Sequence, residues 1–378
     1  YGEEGKKKGG KKWNLTRAVH ELQGARGPDE ILSALSRHGY GSTYKMSHLS
    51  QGLLRISKFF IPLSAAKDRR KLVRECRYLH AWEHVRKILE SDAATNAQMA
   101  TDLLLSMALL MDDSGMLEDT EALLDTARRL SRISDDEIRD LDGVNLSNLV
   151  WACRILGIDP PALALERESL LPFRLHLQAF PELDIEEIRR EVQFKTDEVK
   201  LGGKVIRERR ETAWQTSSNV PFRYSGKEMA PAAMTPIIQM VRNKIYNLTG
   251  VYYDCALINL YPDSSSGMRF HSDPDQGGIW SHNTAVVSVG DTRLFILRET
   301  WKHEKRHHFY VRSGDVMEMV RDCQEKYQHA IRTEESHKFT REMAVETSEF
   351  KPSKYTYGPR VSIVFKQSLE TLEKLAEI

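Results

Sequence analysis

The sequence predicts an α+β protein in which an all-α N-terminal region precedes an antiparallel β domain. Three features support this fold class. The first half of the 378-residue chain carries apolar residues at helical spacing, the second half is rich in β-branched and aromatic runs, and a charged segment separates them. At roughly 100–200 residues per domain, the length also fits about two domains.

Composition and charge exclude several classes of protein. Hydrophobic residues make up 40% and charged residues 29%, which excludes wholesale disorder. No apolar run approaches the roughly 20 residues that cross a bilayer, so we expect no membrane-spanning segment. The formal net charge is +1, so nucleic-acid binding has to come from local basic patches. Four cysteines without a CxxC pair exclude a disulfide scaffold and favour an intracellular, reducing compartment, with nucleus, cytosol and organelle all open.

The N-terminal region is predicted to be a short tail followed by helices. Residues 1–12 are almost entirely glycine, lysine and glutamate, and we expect a flexible basic tail there. Residues 13–183 are expected to form an α-helical domain. Three stretches around Leu54, Leu104 and Leu149 look like related helices, 50 (104 − 54) and 45 (149 − 104) residues apart. The period is imprecise, so both a helical-repeat array and an ordinary helical bundle are open.

A charged helix and a β-rich domain follow. Residues 184–200 predict a linker helix, because glutamates precede arginines and lysines at helical spacing. Residues 201–378 are expected to contain several strands and one amphipathic helix, which suggests an antiparallel barrel or a double-sheet jelly roll. The predicted strands cover 252–261, 285–299, 308–319 and 360–366, and the predicted helix covers 236–248.

A candidate metal site lies in the β-rich half. His271 and Asp273 are two residues apart, so on an extended segment both side chains point to the same side and can reach one ion. His329 is the candidate for a third ligand. Two histidines and one carboxylate form the facial triad of non-haem Fe(II) oxygenases, which leaves positions open for a cosubstrate and dioxygen. We call these three residues the triad.

Polar residues on both sides of the triad fit a dicarboxylate cosubstrate. Asn259 and Tyr261 lie on the strand that leads to the HxD segment, and Arg360 lies on a strand after the third ligand. Arginine offers a two-pronged guanidinium to a carboxylate, while Asn and Tyr can complete the hydrogen bonding. The order of these residues in a β context therefore supports the metal site.

The order of the segments resembles the AlkB family of Fe(II)- and 2-oxoglutarate-dependent dioxygenases. The matching segments are NLY, FHSDPD, VVSVG, RLFILRE, SGDVMEM, YQHAI and PRVSIVF, preceded by RRETAW (209–214) and FRYSGK (222–227). The resemblance covers about residues 200–368. It implies a double-stranded β-helix fold. It also implies an enzyme that removes alkyl groups from nucleobases, using Fe(II), 2-oxoglutarate and O2.

This resemblance also implies roles for individual cofactor-binding residues. The triad would bind Fe(II), Asn259 and Tyr261 would hydrogen-bond 2-oxoglutarate, and Arg360 would pair with its distal carboxylate. The family's last strand usually reads Arg-x-Asn-x-x-x-Arg, whereas this sequence has Ser362 and Lys366 at the last two of these positions. Lysine keeps the charge that would face the metal-proximal carboxylate but loses the rigid fork, and serine can donate one hydrogen bond. Weaker cosubstrate binding or a shifted pose would follow.

Other residues are implied in substrate binding. Asp275 would hydrogen-bond the target base, and Asp275 and Arg210 are the candidate catalytic residues. Thr212, Trp214 and Tyr224, together with Arg210, fall in the segment expected to cover a flipped nucleotide. An aromatic side chain there can stack on a base, which contributes about 1–3 kcal/mol. The alternative for Trp214 is a core or lid-anchoring residue.

The β-rich half also contains two basic stretches and one long polar stretch. Residues 201–230 carry six basic against three acidic side chains, and residues 299–312 carry four against two. Such patches can neutralise phosphates, and a solvated face is the alternative. Residues 336–357 are longer and more polar than the family resemblance implies, and we interpret them as an inserted surface loop.

Taken together, these features predict an oxidative demethylase of N-alkylated nucleobases in DNA or RNA, which releases formaldehyde and succinate. The stretch NLSNLVWACRILGI resembles a helix of organellar helical-repeat RNA-binding proteins, so the helical domain is expected to bind an RNA or protein partner. Two alternatives remain open. One is a catalytically weak RNA- or protein-binding adaptor, and the other is a 2-oxoglutarate-dependent protein hydroxylase.

Overall fold

The computed structural model describes residues 17–25, 27–39, 44–60, 72–91, 95–110, 121–201, 203–224, 226–263, 265–274, 276–332 and 358–376. The predicted tail at 1–12 and the predicted insertion at 336–357 lie outside these residues. Within the described part, the chain divides into two compact units, of which the first ends at Leu170 and the second begins at Leu171.

The first unit is helical. Its labelled helices are α1 (Pro28–Gly39), α2 (Met46–Phe60), α3 (Cys76–Glu90), α4 (Ala97–Leu110), α5 (Glu121–Leu130), α6 (Asp135–Asp140), α7 (Gly143–Ile155) and α8 (Ala162–Ser169). Local sequence sets the start of two of them. Ser134 and Glu137 form a reciprocal capping box at the start of α6, and Asp142 caps α7. None of the helices in the described ranges is long and apolar enough to span a membrane.

Helix α4 lies at the centre of this unit. Its sequence AQMATDLLLSMALL is apolar on nearly every face, and most of its side chains are buried. A helix with this composition has to be surrounded by other elements. Two hydrogen bonds between side chains connect it to its neighbours: Ser57 of α2 with Ser106 at 2.9 Å, and Gln98 with Asn145 of α7 at 3.0 Å. The apolar run therefore explains the packing of α2 and α7 around α4.

The second unit is built on β-sheets. Its strands are β1 (Phe173–His176), β2 (Glu198–Leu201), β3 (Lys204–Arg207), β4 (Glu211–Thr216), β5 (Phe222–Tyr224), β6 (Lys227–Met229), β7 (Cys255–Tyr261), β8 (Met268–His271), β9 (Trp280–Gly290), β10 (Arg293–Glu299), β11 (Arg306–Val311), β12 (Val316–Met319), β13 (Tyr327–Ile331) and β14 (Arg360–Ser368). Its helices are α9 (Ile185–Glu191), α10 (Pro236–Thr249), α11 (Cys323–Lys326) and α12 (Leu369–Ala376).

These strands form two larger antiparallel sheets. The six-stranded sheet has the order β1-β12-β9-β14-β7-β4, and the four-stranded sheet has the order β11-β10-β13-β8. Two hairpins, β2–β3 and β5–β6, form small separate sheets. The antiparallel sheet-rich architecture predicted for the second half is therefore confirmed, and so is the helical character of the first half.

Strand β14 separates the core from the site. Val361, Ile363 and Phe365 are buried in the hydrophobic core, where Ile238 and Val241 of α10 also lie. Arg360, Ser362 and Lys366 point to the opposite face, together with Val364, because successive side chains of a strand alternate. The polar face of β14 is where the site is built.

The boundary between the two units differs from the predicted one at 183. Phe173–His176 is a strand that pairs with β12, and it belongs to the second unit. Four residues are too few for an alternating pattern to stand out beside the preceding helices. The predicted linker helix at 184–200 is also shorter in the structure, where α9 ends at Glu191 and β2 begins at Glu198.

A glycine next to β14 gives a test of this packing. Gly290 lies opposite Arg360 with φ +95°, and a Cβ atom there would lie 2.6 Å from the carbonyl oxygen of Pro359. We expect Gly290→Ala to lower the free energy of unfolding by about 3 kcal/mol, because backbone strain and a clash add. Gly250→Ala is the matched control, because Gly250 also has a positive φ of +74° but a Cβ atom there would have no neighbouring atom within 4 Å. This variant should lower the free energy of unfolding by only about 1 kcal/mol, from backbone strain alone. If urea unfolding shows that Gly290→Ala and Gly250→Ala are equally destabilised, the predicted clash at Gly290 is wrong.

Candidate active site

The three triad residues lie together in the structure. His271 ends β8, Asp273 follows two residues later, and His329 of β13 pairs with His271 across the sheet. One potential ligand atom from each residue lies within 4.8 Å of the others. Oδ1 of Asp273 is 3.7 Å from Nε2 of His271 and 3.8 Å from Nε2 of His329. Two imidazoles and one carboxylate thus converge on one point, as a metal ion requires.

The two histidines are oriented toward the carboxylate. Nδ1 of His271 is 2.8 Å from the carbonyl oxygen of Arg269, so it donates there, and Nε2 faces Asp273. The ring of His329 stacks on Phe295, with centroids 5.6 Å apart and an angle of 5°. Burial, with a smaller contribution from the adjacent His271, lowers the pKa of His329 to about 3. His329 is therefore neutral, which is the form that binds a metal ion.

Asp273 is held by a buried lysine and two further contacts. Nζ of Lys366 lies 2.9 Å from Oδ2 of Asp273, and Oγ1 of Thr284 donates to the same oxygen at 3.5 Å. The backbone N–H of Asp273 donates to Oε1 of Gln324 at 2.9 Å. Burial opposes ionisation of Asp273, but the ammonium group of Lys366 holds its pKa below the usual value. The carboxylate is thus charged, with Oδ2 paired and Oδ1 facing the histidines.

The polar face of β14 lies beside the triad. Arg360, Ser362 and Lys366 alternate with the core residues, and β7 lies next to them in antiparallel register. Tyr261 is opposite Arg360, and Asn259 is opposite Ser362, to which its Nδ2 donates a hydrogen bond at 3.3 Å. Two neighbouring strands thus place on one face the residues that the sequence singled out for a dicarboxylate.

Arg360 is a buried cation with free hydrogen-bonding capacity. Its exposed fraction is 0%, and its Nη2 donates to Oγ of Ser288 at 2.8 Å. Within the described residues, its Nε and Nη1 have no hydrogen-bond partner, and neither has Oδ1 of Asn259. Burial lowers the pKa of Arg360 to about 10, so the guanidinium remains charged at neutral pH. Because a buried, partly unpaired charge is costly, this pocket fits an anionic ligand such as a carboxylate.

In the structure, Lys366 forms an ion pair with Asp273 of the triad. The family resemblance implies that this lysine faces a cosubstrate carboxylate. In the structure its Nζ contacts Asp273, and the side chain is only 3% exposed. A single ammonium group can satisfy one carboxylate oxygen at close range, whereas a guanidinium fork could serve two acceptors.

The residues predicted to cover a nucleotide form two groups. In the first, Arg210 is buried and pairs with Glu208 at 3.1 Å, and the hydroxyl of Tyr224 donates to Glu208 at 2.8 Å. Lys227 donates to Oγ1 of the buried Thr212 at 3.0 Å, and its charge lies 5.2 Å from the ring of Tyr224. Arg210, Thr212 and Tyr224 are therefore joined by one polar network. Asp275 lies outside the described residues.

The second group is an aromatic cluster around Trp214. This residue is 2% exposed, and its indole N–H donates to the carbonyl oxygen of Val220 at 2.7 Å. Its ring stacks on Phe222 at 4.7 Å and meets Trp280 edge-on at 5.5 Å. Of the two interpretations given for Trp214, this packing fits the core or lid-anchoring residue.

Three residues that the sequence did not single out orient the site. Ser288 binds Arg360, while Thr284 and Gln324 bind Asp273. Ser288 had a detectable signal, since it is a polar residue inside the apolar strand AVVSVG. Gln324 had none, because it lies in a helix of four residues that no periodicity reveals.

A family profile and several known proteins match part of this chain. The sequence profile of the 2OG-Fe(II) oxygenase superfamily matches residues 177–366. The uncharacterized protein R406 of Acanthamoeba polyphaga mimivirus is 38% identical over 162 residues, which cover 43% of this chain and 74% of that protein. DNA oxidative demethylase ALKBH2 of Bos taurus is 24% identical over 199 residues, which cover 50% of this chain and 65%, just under two-thirds, of that protein.

One solved structure, that of OsALKBH1, aligns with 14% identity and a TM-score of 0.36, over 52% of this chain and 98% of that one. The matched range of the superfamily profile extends over half of the chain and includes the whole triad. The chain therefore belongs to the 2OG-Fe(II) oxygenase superfamily, whose members use Fe(II), 2-oxoglutarate and O2.

Proposed function

We propose that this protein is an oxidative demethylase that removes methyl groups from ring nitrogens of nucleobases in DNA or RNA. The observation that carries the proposal is the buried guanidinium of Arg360, with unpaired donors, on the same face as the triad. The relationship to ALKBH2, which is named a DNA oxidative demethylase, supports the nucleic-acid substrate. We also propose that the two larger sheets are the two halves of a double-stranded β-helix.

The residues present fit the implied cofactors. His271, Asp273 and His329 would hold Fe(II), and Arg360 with Asn259 would hold 2-oxoglutarate. With O2, these cofactors supply an oxidant that converts the methyl group to hydroxymethyl, while 2-oxoglutarate becomes succinate and CO2. The N-hydroxymethyl base then loses formaldehyde: the N–C bond breaks, the ring nitrogen keeps the bonding electrons, and the hydroxyl proton passes to solvent.

The protein itself contributes orientation and exclusion of water. Lys366 holds one oxygen of Asp273 and so leaves the other for the metal ion. Arg360 and Ser288 fix the far end of the cosubstrate pocket, because they are buried and joined by a hydrogen bond. Pre-oriented charged groups in a buried site lose little energy to rearrangement during the reaction.

The polar network around Arg210 is our candidate for the substrate side of the site. Arg210 and Tyr224 share Glu208 as an acceptor, and Lys227 lies over the ring of Tyr224. A cation beside an aromatic face can hold a flipped base by stacking. We assign Arg210, Thr212 and Tyr224 to the substrate-contacting wall, with Trp214 supporting it from the core. For the helical unit, an RNA or protein partner stays a prediction.

Release of succinate and formaldehyde tests the function. Purified protein with Fe(II), 2-oxoglutarate and O2 is given matched DNA and RNA oligonucleotides that carry 1-methyladenine or 3-methylcytosine. We expect formaldehyde that depends on the modified base and disappears in His271→Ala, because that variant loses an iron ligand. Succinate without formaldehyde would favour the protein hydroxylase. If the iron-loaded protein yields neither product, the adaptor alternative replaces the proposal.

Substitution of Arg360 tests the cosubstrate pocket. Arg360→Gln removes the charge but keeps a donor, so we expect the KM for 2-oxoglutarate to rise roughly 10- to 100-fold, as the loss of a charged hydrogen bond of about 1.5–3 kcal/mol predicts. The KM of Arg360→Lys for 2-oxoglutarate should lie between those of Arg360→Gln and the wild type. Arg189→Gln serves as the control, because Arg189 is an exposed arginine of α9 that pairs with Glu186. An unchanged KM in Arg360→Gln would place the cosubstrate elsewhere.

Substitution of Lys366 tests the electrostatics of the triad. Lys366→Met leaves the buried charge of Asp273 without its lysine, so we expect the metal-free protein to lose about 3 kcal/mol of stability. Mn(II) should then stabilise the variant more than the wild type, because the ion replaces the missing positive charge. Thermal melting with and without Mn(II) measures both effects.

Two further variants are the controls for Lys366. Lys374→Met breaks an exposed pair with Glu370 and should leave the melting temperature unchanged. The double variant Asp273→Asn with Lys366→Met should be more stable than Lys366→Met alone. A Lys366→Met protein that melts like the wild type would show that the ion pair contributes nothing to the site.

A further inference from the structure

Three arginines surround one aromatic ring on the four-stranded sheet. The guanidinium carbons of Arg298, Arg306 and Arg332 lie 3.9, 5.8 and 5.6 Å from the centroid of the Phe270 ring. We call these three residues the arginine cluster. All of its side chains, and Phe270, are partly exposed.

The arginine cluster lies on the face of the sheet opposite the triad. Phe270 directly precedes His271 on β8, so their side chains point to opposite faces. On β10, Leu297 pairs with His329, and the next residue, Arg298, therefore points away from the triad. Arg306 is the cross-strand partner of Arg298, so it shares that outer face. The cluster is thus built directly behind the metal-binding strands.

No acid neutralises the arginine cluster among the described residues. Arg298 donates twice to Oε1 of Gln328, at 2.9 and 2.6 Å, and Arg306 donates to the carbonyl oxygen of His303 at 2.8 Å. Burial and the charge of Arg306 lower the pKa of Arg298, and burial and the other two arginines lower that of Arg332. Three like charges that repel one another create a site for an anion.

We propose that the arginine cluster binds a phosphate of the nucleic-acid strand whose modified base enters the active site. Guanidinium forks match phosphate oxygens in pairs, and the ring of Phe270 holds the three cations together. This inference rests on the proposed function. It adds an anchor for the nucleic-acid backbone outside the catalytic pocket, since Phe270 and His271 are consecutive residues of β8 that face opposite sides of the sheet.

The neighbouring β10–β11 turn favours a single strand as the ligand. Trp301 in this turn is 64% exposed, and Lys302 and Lys305 follow it. Exposed aromatic rings beside cationic side chains are typical of proteins on which unpaired bases stack. Strand β8 is also the edge of the four-stranded sheet, so a strand can pass around it from the outer face to the triad.

Salt-dependent binding of an oligonucleotide tests the arginine cluster. The test variant is Arg306→Gln with Arg332→Gln, which keeps the Arg298–Gln328 bonds. A fluorescent single strand without modified bases is titrated at several KCl concentrations. We expect the Kd to rise about tenfold, as loss of charge-assisted hydrogen bonds predicts. The slope of log K against log salt should become shallower by about 0.7 for each phosphate that the variant no longer neutralises.

Controls separate this inference from loss of folding and from other anions. Arg189→Gln removes an exposed arginine elsewhere and should leave the Kd and the slope unchanged. The double variant should melt no lower than the wild type, because it relieves repulsion. Inorganic phosphate should raise the melting temperature of the wild type more than that of the double variant. Inorganic phosphate could raise the melting temperature of the wild type more than that of the double variant while both proteins bind the oligonucleotide with the same Kd. The cluster would then bind free phosphate, and its assignment to a nucleic-acid strand would be wrong.

The remaining outcomes distinguish the two proposals. If the wild type demethylates oligonucleotides but the double variant binds them with the same Kd and slope, the cluster inference is overturned and the proposed function stands. If the wild type neither binds nor demethylates any nucleic acid, both fail. An acidic peptide that binds the wild type, and loses binding in the double variant while the oligonucleotide does not, would assign the cluster to a protein partner.

Discussion

The site depends on the two-sided character of strand β14. Its alternate residues Val361, Ile363 and Phe365 are buried in the core, and this burial fixes the register of the strand against its neighbours. A shift by one residue would exchange the two faces, so the apolar residues also determine where the polar ones point. Arg360 and Lys366 therefore reach the site because the core residues between them cannot be placed elsewhere.

The register of β14 places two buried cations, Arg360 and Lys366, on one face of the sheet. Lys366 neutralises one oxygen of Asp273, and the two histidines face the other, so the carboxylate is ionised and directed before any ion arrives. Arg360 is different, because it has no acid partner among the described residues and retains unpaired donors. The metal end of the site is thus largely balanced within the protein, whereas the cosubstrate end carries an excess of positive charge. This asymmetry suits a small anion that binds and leaves in each turnover.

The sequence predicted the features that repeat or alternate. The strands around residues 252–261 and 360–366 were predictable because β-branched and aromatic residues fill them, and the HxD spacing predicted that His271 and Asp273 face one side. The position of His329 beside them depends on the pairing of β8 with β13, which is set by contacts distant in sequence. Gln324 was not predicted, because it lies in a helix of four residues that no periodicity reveals and contacts Asp273 from 51 residues away in the sequence. Residue spacing predicts which side chains of one strand share a face, whereas the pairing between strands is known only from the structure.

The arginine cluster follows from the same alternation on the other sheet. On β8, the residue that carries the metal-binding imidazole has a neighbour, Phe270, that must point outward. Because the outer face gathers three cations around that ring, each arginine loses hydration and repels the others, which lowers the pKa of Arg298 and Arg332. Such an arrangement weakens the isolated protein and strengthens its binding of an anion, since the ligand removes the repulsion. One short strand can therefore serve chemistry on its inner face and attachment of the substrate backbone on its outer face.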